Sequence, residues 1–254
     1  MTTSMLKSPT AANGGVSATY QKDGYILAPG VLSFRDIEPL RLIIDRQVDR
    51  FALKLRDEGK VKNLFEFDSF DNRLAFLLEG QGTQMRSWDE IIFSPQLHRL
   101  ITHPKLLDAL EPLLGPDITF QGDYHLRPKM PDSHLTAFPW HQDSQYYGEP
   151  TKNMHIVTVT VPLVDLTEEN GCLWMIPGSH KWGYFPAERS ADQNMRMAED
   201  AESMAIKRGT ESIPVPMEIG DILAFGNMTL HASKLNQSRG VRWTLDLRYS
   251  PTRR

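Results

Sequence analysis

The sequence predicts a mainly β protein with flanking helices, whose core is a jelly roll or a barrel. From about residue 118 the chain consists of short runs rich in β-branched and aromatic residues, and such runs separated by turns are typical of these folds. They lie at 118–121, 124–127, 155–163, 173–176, 213–217, 222–225, 228–232 and 241–249. Before them, two stretches with helical periodicity predict helices that pack on the sheet.

The first helical stretch follows Ser33, a good N-cap. Apolar residues then recur at three- and four-residue steps and form one face: Ile37, Leu40, Ile44, Val48, Phe51 and Leu55. The second stretch begins at Ser94, restarts at Pro104 and stops at Gly115. A short strand is expected at 25–27, and we expect residues 1–17 to form a disordered tail. Residues 63–88 have no clear period.

Composition excludes several classes of protein. The chain has 254 residues, which a single β domain can reach, so we expect one domain over residues 18–254. Its net charge of −4 provides no basic field for nucleic acid, and no apolar stretch reaches the roughly 20 residues that cross a bilayer. The single cysteine, Cys172, cannot form an intrachain disulfide. These features favour a cytoplasmic monomer or homodimer that acts on a small molecule, with no nucleic-acid or membrane partner.

The last predicted strand alternates sharply between apolar and polar residues. Val241, Trp243, Leu245 and Leu247 share one face, and Arg242, Thr244, Asp246 and Arg248 share the other. Residues two apart on a strand project to the same side. A strand of this kind in a β core predicts a polar interior or a binding site.

Two residues at 141 and 143 provide the first indication of chemistry. On an extended segment the Cα atoms of His141 and Asp143 lie about 6.6 Å apart on one face, so both can reach one ion. A third ligand is then required, and His231, which ends a later β-rich run, is a candidate for it. Two histidines and one carboxylate leave coordination positions open, which suits Fe(II) that must also bind a chelating cosubstrate and dioxygen.

Arg242 follows His231 by eleven residues, on the final strand. A guanidinium can hold the far carboxylate of a dicarboxylic oxoacid while the oxoacid end chelates iron, and this arrangement fits 2-oxoglutarate. Arg239, in the preceding turn, and Arg248, at the far end of the strand, are the alternatives.

Three segments resemble the phytanoyl-CoA dioxygenase family. Residues 23–32 resemble its opening, Trp140-His141-Gln142-Asp143 its first metal motif, and residues 169–180 its later Glu-Asn-Gly to Pro-Gly-Ser-His signature. The resemblance implies a double-stranded β-helix (cupin-like) core and three requirements: Fe(II), 2-oxoglutarate and O2. It also implies roles for five residues: His141, Asp143 and His231 as iron ligands, Arg242 as the 2-oxoglutarate arginine and Ser233 as a hydroxyl assisting the same carboxylate.

The chain departs from the family pattern at one place. Where relatives often have Leu-Lys-Pro-Pro, it has Leu126-Arg127-Pro128-Lys129. Arg127 is predicted to be an extra cosubstrate or substrate contact, with Lys129 as the alternative. Asp143 is retained, whereas related halogenases replace the carboxylate, so the resemblance implies hydroxylation, desaturation or another oxidation.

The expected function is oxidation of an unactivated C–H bond in a small amphipathic or apolar metabolite, of the kind found in secondary metabolism. The alternatives are another metal-dependent cupin enzyme, such as a hydrolase or isomerase, and a non-catalytic binding protein. Segment 63–88 or 187–211 is expected to form a lid. Several large side chains are candidates for the pocket wall: Met130, Trp140, Tyr146, Tyr147 and Trp174. The remaining histidines are expected to be structural or surface residues: His98, His103, His125, His134, His155 and His180.

Overall fold

The computed structural model describes residues 13–81 and 88–252. The helices are α1 (Asn13–Asp23), α2 (Phe34–Asp57), α3 (Asn72–Leu78), α4 (Asp89–Ile92), α5 (Pro95–Ile101), α6 (Pro104–Leu114), α7 (Ser144–Tyr147) and α8 (Ala201–Lys207). The strands are β1 (Tyr25–Ala28), β2 (Ile118–Lys129), β3 (Phe138–His141), β4 (Val157–Pro162), β5 (Leu173–Met175), β6 (Ala187–Arg189), β7 (Met195–Met197), β8 (Ile213–Val215), β9 (Ile222–Gly226), β10 (His231–Ser233) and β11 (Arg242–Pro251).

Two antiparallel sheets pack face to face and form the core. The larger sheet has the strand order β1-β9-β4-β11-β2, and the smaller has the order β3-β10-β5-β8. Apolar residues from both sheets meet at one end of the sandwich, among them Met175, Val215 and Phe225. A separate hairpin, β6 with β7, lies outside both sheets. The predicted β core with flanking helices, of the double-stranded β-helix type, is confirmed.

Helices cover the outer face of the larger sheet because both surfaces present an apolar stripe. Helix α2 buries six residues at helical spacing: Ile37, Leu40, Ile44, Val48, Ala52 and Leu55. They share one core cluster with the outward side chains of β4 and β11, including Val159 and Trp243. Each fully buried side chain of this size contributes roughly 1.5–3 kcal/mol relative to its exposed state. No helix in the described ranges combines the length and the low polarity that a membrane span requires.

The start of α2 is fixed as the sequence predicts. The Asp36 carboxylate accepts a hydrogen bond from the backbone N–H of Ser33 at 2.8 Å and another from its hydroxyl at 2.7 Å. This satisfies a backbone donor that the first helical turn leaves without a partner. The helix is therefore locked in register before its buried face begins at Ile37.

The inner face of the larger sheet is polar, as the alternation of the last strand predicts. Thr244 and Asp246 of β11 line a cavity between the sheets, and Thr160 of β4 joins them. Their strand neighbours, such as Leu245 and Val161, point the other way into the helix-covered core. The two faces of β11 therefore have different roles: its odd-numbered residues pack against the helices, and its even-numbered residues face the cavity.

Two expectations about segments need revision, and a third segment had no predicted structure. The expected tail 1–17 ends at residue 12 at the latest, because α1 begins at Asn13 and its Val16 and Tyr20 pack against the core; residues 1–12 lie outside the described ranges. Runs 118–121 and 124–127 form one strand, β2, since Gly122 bends it at a φ of +74° without breaking it. Segment 63–88 contains α3, and its residues 82–87 are outside the described ranges.

We predict that Leu40→Ala lowers the free energy of unfolding by about 2–5 kcal/mol, because Leu40 is 1 % exposed at the α2 interface and its truncation leaves a cavity. Leu42→Ala is the matched control: it is the same substitution on the same helix, at a side chain that is 47 % exposed. Urea unfolding monitored by circular dichroism measures both. Equal midpoints for the two variants would contradict the packing described for α2.

Candidate active site

A cavity of about 250 Å³ lies between the two sheets and is lined by five of the six predicted site residues, all except Asp143. Its walls come from β2, β3, β4, β10 and β11, and Arg189 and Gln193 of the β6–β7 hairpin close one side. A larger and more open cavity, of about 750 Å³, lies between α3 and residues 130–135 and includes none of the predicted metal ligands. The chemistry therefore belongs to the smaller cavity.

His141, Asp143 and His231 converge at the wall formed by the smaller sheet. His231 at the start of β10 is the register partner of His141 at the end of β3, and Asp143 follows two residues later. The Asp143 Oδ1 atom lies 3.5 Å from His231 Nε2 and 3.8 Å from His141 Nε2. Within the described part of the chain, this is the one group of three potential ligand side chains that meets so closely.

Backbone carbonyls fix the orientation of both imidazole rings. Nδ1 of His141 donates to the carbonyl of Pro139 at 2.7 Å, and Nδ1 of His231 donates to the carbonyl of Thr229 at 3.0 Å. A carbonyl only accepts, so the proton must be on Nδ1 and the lone pair on Nε2. The two rings thus present their free nitrogens to the point that Asp143 also faces, as metal-bound histidines do.

The second oxygen of Asp143 is held from behind. Oδ2 accepts a hydrogen bond of 2.5 Å from the hydroxyl of Thr158, and Nη2 of Arg248 lies 3.7 Å away. Arg248 also approaches Asp123, with Nε 3.7 Å from its carboxylate. These contacts leave Oδ1 as the oxygen that faces the two imidazoles, and they place Arg248, a predicted alternative for the cosubstrate, beside the carboxylates of Asp143 and Asp123.

The protonation states suit a divalent cation. Burial and the neighbouring His231 lower the pKa of His141 to about 3. Burial acts to raise the pKa of the Asp143 carboxyl, but the Arg248 guanidinium and the two histidines lower it to about 2. At neutral pH the site offers a neutral imidazole at His141 and an ionised carboxylate, which are the forms that bind metal. Two nitrogens and one oxygen on one side of an ion fit the donor set of non-haem Fe(II).

Arg242 faces the same cavity from the first position of β11. It is 4 % exposed, its Nε has no hydrogen-bond partner, and no described carboxylate lies within 4.0 Å of it. Burial lowers the pKa of Arg242 to about 10, so the guanidinium stays charged at neutral pH. Ser233, two residues after His231 on β10, lines the cavity too. A buried, unpaired cation beside a hydroxyl fits the distal carboxylate of 2-oxoglutarate.

The other predicted contacts fall in different places. Arg127 lines the cavity, 3.6 Å from the Asp246 carboxylate and with its guanidinium over the Phe138 ring at 5.2 Å. Lys129 does not line the cavity and lies behind Ser233. Arg239 lines the larger, separate cavity. The geometry therefore favours Arg242 over both alternative arginines and Arg127 over Lys129 as a direct contact.

Two of the five large side chains expected in the pocket wall are there. Tyr146 and Tyr147 line the cavity, and the Tyr146 ring meets His141 edge to face at 5.2 Å. The other three do not: Trp140 packs in a small cluster around α8, Met130 belongs to the helix-covered core, and Trp174 stacks under the Lys234 ammonium. Strand alternation alone does not determine which aromatic residues reach the cavity.

Sequence reasoning missed several residues of the site. His125, expected to be structural, lines the cavity and lies between Asp89 and Asp123 at 2.9 and 3.1 Å. Thr158 could have been found, because it shares the polar face of β4 with Thr160. Arg189 and Gln193 had no signal, since a hairpin outside both sheets has no periodic pattern that relates it to the cavity.

Comparisons with known proteins agree with this geometry. The sequence model of the family described as phytanoyl-CoA dioxygenase matches residues 20–244. The phytanoyl-CoA dioxygenase domain-containing protein 1 of Bos taurus is 25 % identical over 247 residues, which cover 86 % of this chain and 83 % of the relative. The methylphosphonate hydroxylase of Gimesia maris is 27 % identical over 232 residues, which cover 91 % and 78 %.

Solved structures share the fold. EctD from S. alaskensis, crystallised with 2-oxoglutarate and 5-hydroxyectoine, superposes with a TM-score of 0.64 at 20 % identity, over 97 % of this chain and 79 % of that one. AviO1 from Streptomyces viridochromogenes Tue57 superposes with a TM-score of 0.59 at 22 % identity, over 96 % of each chain.

We predict that Thr158→Val weakens binding of a divalent metal by about 10–100-fold, because it removes the hydrogen bond that turns the Asp143 carboxylate toward the ion. Thr160→Val is the matched control, since Thr160 lies on the same face of the same strand and donates to Asp246 instead, at 2.8 Å. Anaerobic calorimetry with Co(II) measures both affinities. Equal affinities in the two variants would disprove the supporting role of Thr158.

Proposed function

Because the chain belongs to the phytanoyl-CoA dioxygenase family, whose members are non-haem iron and 2-oxoglutarate-dependent oxygenases, we propose that it oxidises an unactivated C–H bond of a small metabolite. In the hydroxylation form of this reaction, substrate, 2-oxoglutarate and O2 give the alcohol, succinate and CO2. The observation that carries the proposal is the convergence of His141, Asp143 and His231 at a cavity that both histidines line together with the unpaired Arg242.

His141, Asp143 and His231 are proposed to hold the iron. Arg242 and Ser233 are proposed to bind the distal carboxylate of 2-oxoglutarate by charge-assisted hydrogen bonds. Bound iron and 2-oxoglutarate supply the activation of dioxygen, with release of succinate and CO2. Family membership supports an iron- and 2-oxoglutarate-dependent oxygenase over the hydrolase, isomerase and non-catalytic alternatives.

The protein keeps water away from the reacting atoms. The Phe225 ring lies 4.5 Å from the His231 ring, and the Phe138 ring lies 6.2 Å from the His141 ring. Both phenyl rings line the cavity. Apolar walls beside the metal ligands strengthen the electrostatic contacts inside the site and protect the oxidising species from side reactions. The retained Asp143 supports hydroxylation or another oxygenase outcome over halogenation.

The β6–β7 hairpin is proposed to form the substrate side of the cavity, so we favour segment 187–211 over 63–88 as the lid. The backbone N–H of Met195 donates to the Tyr146 hydroxyl at 3.1 Å, which ties the hairpin to the metal wall. The Arg189 guanidinium lies 5.6 Å from the centre of the Tyr146 ring and lines the cavity. The hairpin can therefore contact a substrate that lies near His141.

We propose that the substrate carries an anionic group. Arg242 is assigned to the cosubstrate, whereas Arg127 and Arg248 lie close to carboxylates. Arg189 also lines the cavity, and no carboxylate of the described residues lies within 4.0 Å of its guanidinium. The methylphosphonate hydroxylase similarity supports an anionic substrate. The sequence predicts an amphipathic or apolar substrate, and a polar wall of this kind supports an amphipathic one.

We predict that substrate-dependent succinate release is stimulated by small metabolites with a carboxylate or phosphonate group and not by their amides or esters. A screen over such matched pairs, with Fe(II) and 2-oxoglutarate supplied, measures it. Protein with His141→Ala, Asp143→Ala or His231→Ala serves as the blank and is expected to release no succinate. Stimulation by the neutral members alone would refute the anionic substrate, and full turnover by any blank would remove that residue from the ligand set.

We predict that Arg242→Ala raises the KM for 2-oxoglutarate by about 10–100-fold, because it removes a charged hydrogen-bond donor worth roughly 1.5–3 kcal/mol. Arg239→Ala is the matched control: it removes the same side chain three residues earlier, in the larger cavity. Steady-state turnover with varied 2-oxoglutarate measures both. A larger effect at Arg239 than at Arg242 would contradict the cosubstrate assignment.

A further inference from the structure

Lys129 is a buried lysine at the end of β2, 1 % exposed, with no carboxylate of the described residues within 4.0 Å. It is the register partner of Arg242 on β11. Two adjacent basic side chains are thus buried without an acid beside them, and burying unpaired charge is costly. Such a pair fits a site whose counter-charge arrives with a ligand.

The contacts of the Lys129 amine use all of its donors. Nζ lies 2.5 Å from the carbonyl oxygen of Thr136, 3.0 Å from the hydroxyl oxygen of Ser233 and 3.5 Å from the carbonyl oxygen of Ser233. An ammonium has three N–H donors and no acceptor. Each donor therefore has one oxygen, and none remains for a molecule in the cavity, which Lys129 does not line.

The donor proton of the Ser233 hydroxyl has no hydrogen-bond acceptor among the described residues. Its oxygen accepts from Lys129 Nζ and, at 3.4 Å, from the backbone N–H of Phe138. A hydroxyl has two acceptor lone pairs and one donor proton. Both lone pairs are occupied, and no described group accepts the proton. Since Ser233 lines the cavity, its O–H is free to donate into the space beside Arg242.

We propose that Lys129 is a positioning residue for the cosubstrate: it holds the Ser233 oxygen so that the Ser233 hydroxyl must donate to the distal carboxylate beside Arg242. The inference rests on the proposed function. In this proposal the two basic residues of Leu126-Arg127-Pro128-Lys129 have different roles: Arg127 faces the cavity directly, and Lys129 acts through Ser233.

Two further observations support this placement. Burial, and to a smaller extent the nearby Arg242, lowers the pKa of Lys129. A carboxylate that binds nearby would therefore favour the charged ammonium form, which has three N–H donors. Gly171 leaves room for the side chain: a Cβ there would lie 2.6 Å from Lys129 Cε and 2.6 Å from the carbonyl oxygen of Lys234. A glycine of the Glu-Asn-Gly motif thus keeps open the space that Lys129 fills.

The test measures the binding of two oxoacids to the Lys129→Met variant, in which the new side chain has a similar length but no charge. 2-Oxoglutarate and 2-oxovalerate share the chelating end, but only the first has a distal carboxylate. Calorimetry is carried out on the anaerobic, Co(II)-loaded Lys129→Met variant and on the wild type. The variant is expected to bind 2-oxoglutarate about tenfold more weakly than the wild type, whereas its 2-oxovalerate affinity stays within about twofold. Equal losses for both oxoacids, or no loss for either, would overturn the inference.

A double-mutant cycle tests the route through Ser233. In a Ser233→Ala background, Lys129→Met is expected to have little further effect on 2-oxoglutarate binding, because coupled residues give non-additive effects. Additive effects would mean that Lys129 does not act through Ser233. Lys129→Gln, which keeps an N–H donor, is expected to retain part of the selectivity, and it provides the readout if Lys129→Met fails to fold. Wild-type protein that binds neither oxoacid would instead refute the proposed function.

Discussion

The site depends on the antiparallel pairing of β3 with β10. His141 and His231 are ninety residues apart in sequence, and this pairing makes them direct partners. Side chains alternate along a strand, so a shift of one residue would turn one imidazole to the opposite face of the sheet. The same register places Ser233 on the cavity side two residues later. The geometry of the two histidines and the position of Ser233, the proposed cosubstrate contact, are therefore consequences of one strand pairing.

A polar interior needs partners for its groups, and here a network provides many of them. Thr158 and Arg248 hold one oxygen of Asp143, Thr160 donates to Asp246, and Lys129 donates to Ser233. Buried nitrogens of Arg242 and Arg248 lack hydrogen-bond partners, but Arg248 lies within 3.7 Å of the Asp143 and Asp123 carboxylates, whereas no carboxylate of the described residues lies within 4.0 Å of Arg242. Unsatisfied buried groups are costly, so the guanidinium of Arg242 is the position in this wall where an anionic ligand would be stabilised most.

The sequence was sufficient for the parts of the molecule that follow a period or a local spacing. The buried face of α2 and the two faces of β11 are of this kind. The expected extended segment through His141 and Asp143 was wrong, because β3 ends at His141 and Asp143 has helical backbone angles, although the two side chains still converge. It was insufficient where burial depends on what covers a residue. Arg127 and Lys129 share a face of β2, yet only Arg127 reaches the cavity because β10 covers the other. Similarly, Val16 lies in a polar stretch, and its contact with the core depends on the position of α1.

The β6–β7 hairpin belongs to neither sheet, although it forms one wall of the cavity. The proposed metal ligands and cosubstrate contacts all lie on strands of the two sheets or directly after them. Hairpin residues that line the cavity can therefore change without altering the strand register that brings His141 and His231 together. This separation makes the hairpin the place where evolution, or an engineer, can alter substrate range while the oxidation chemistry is inherited intact.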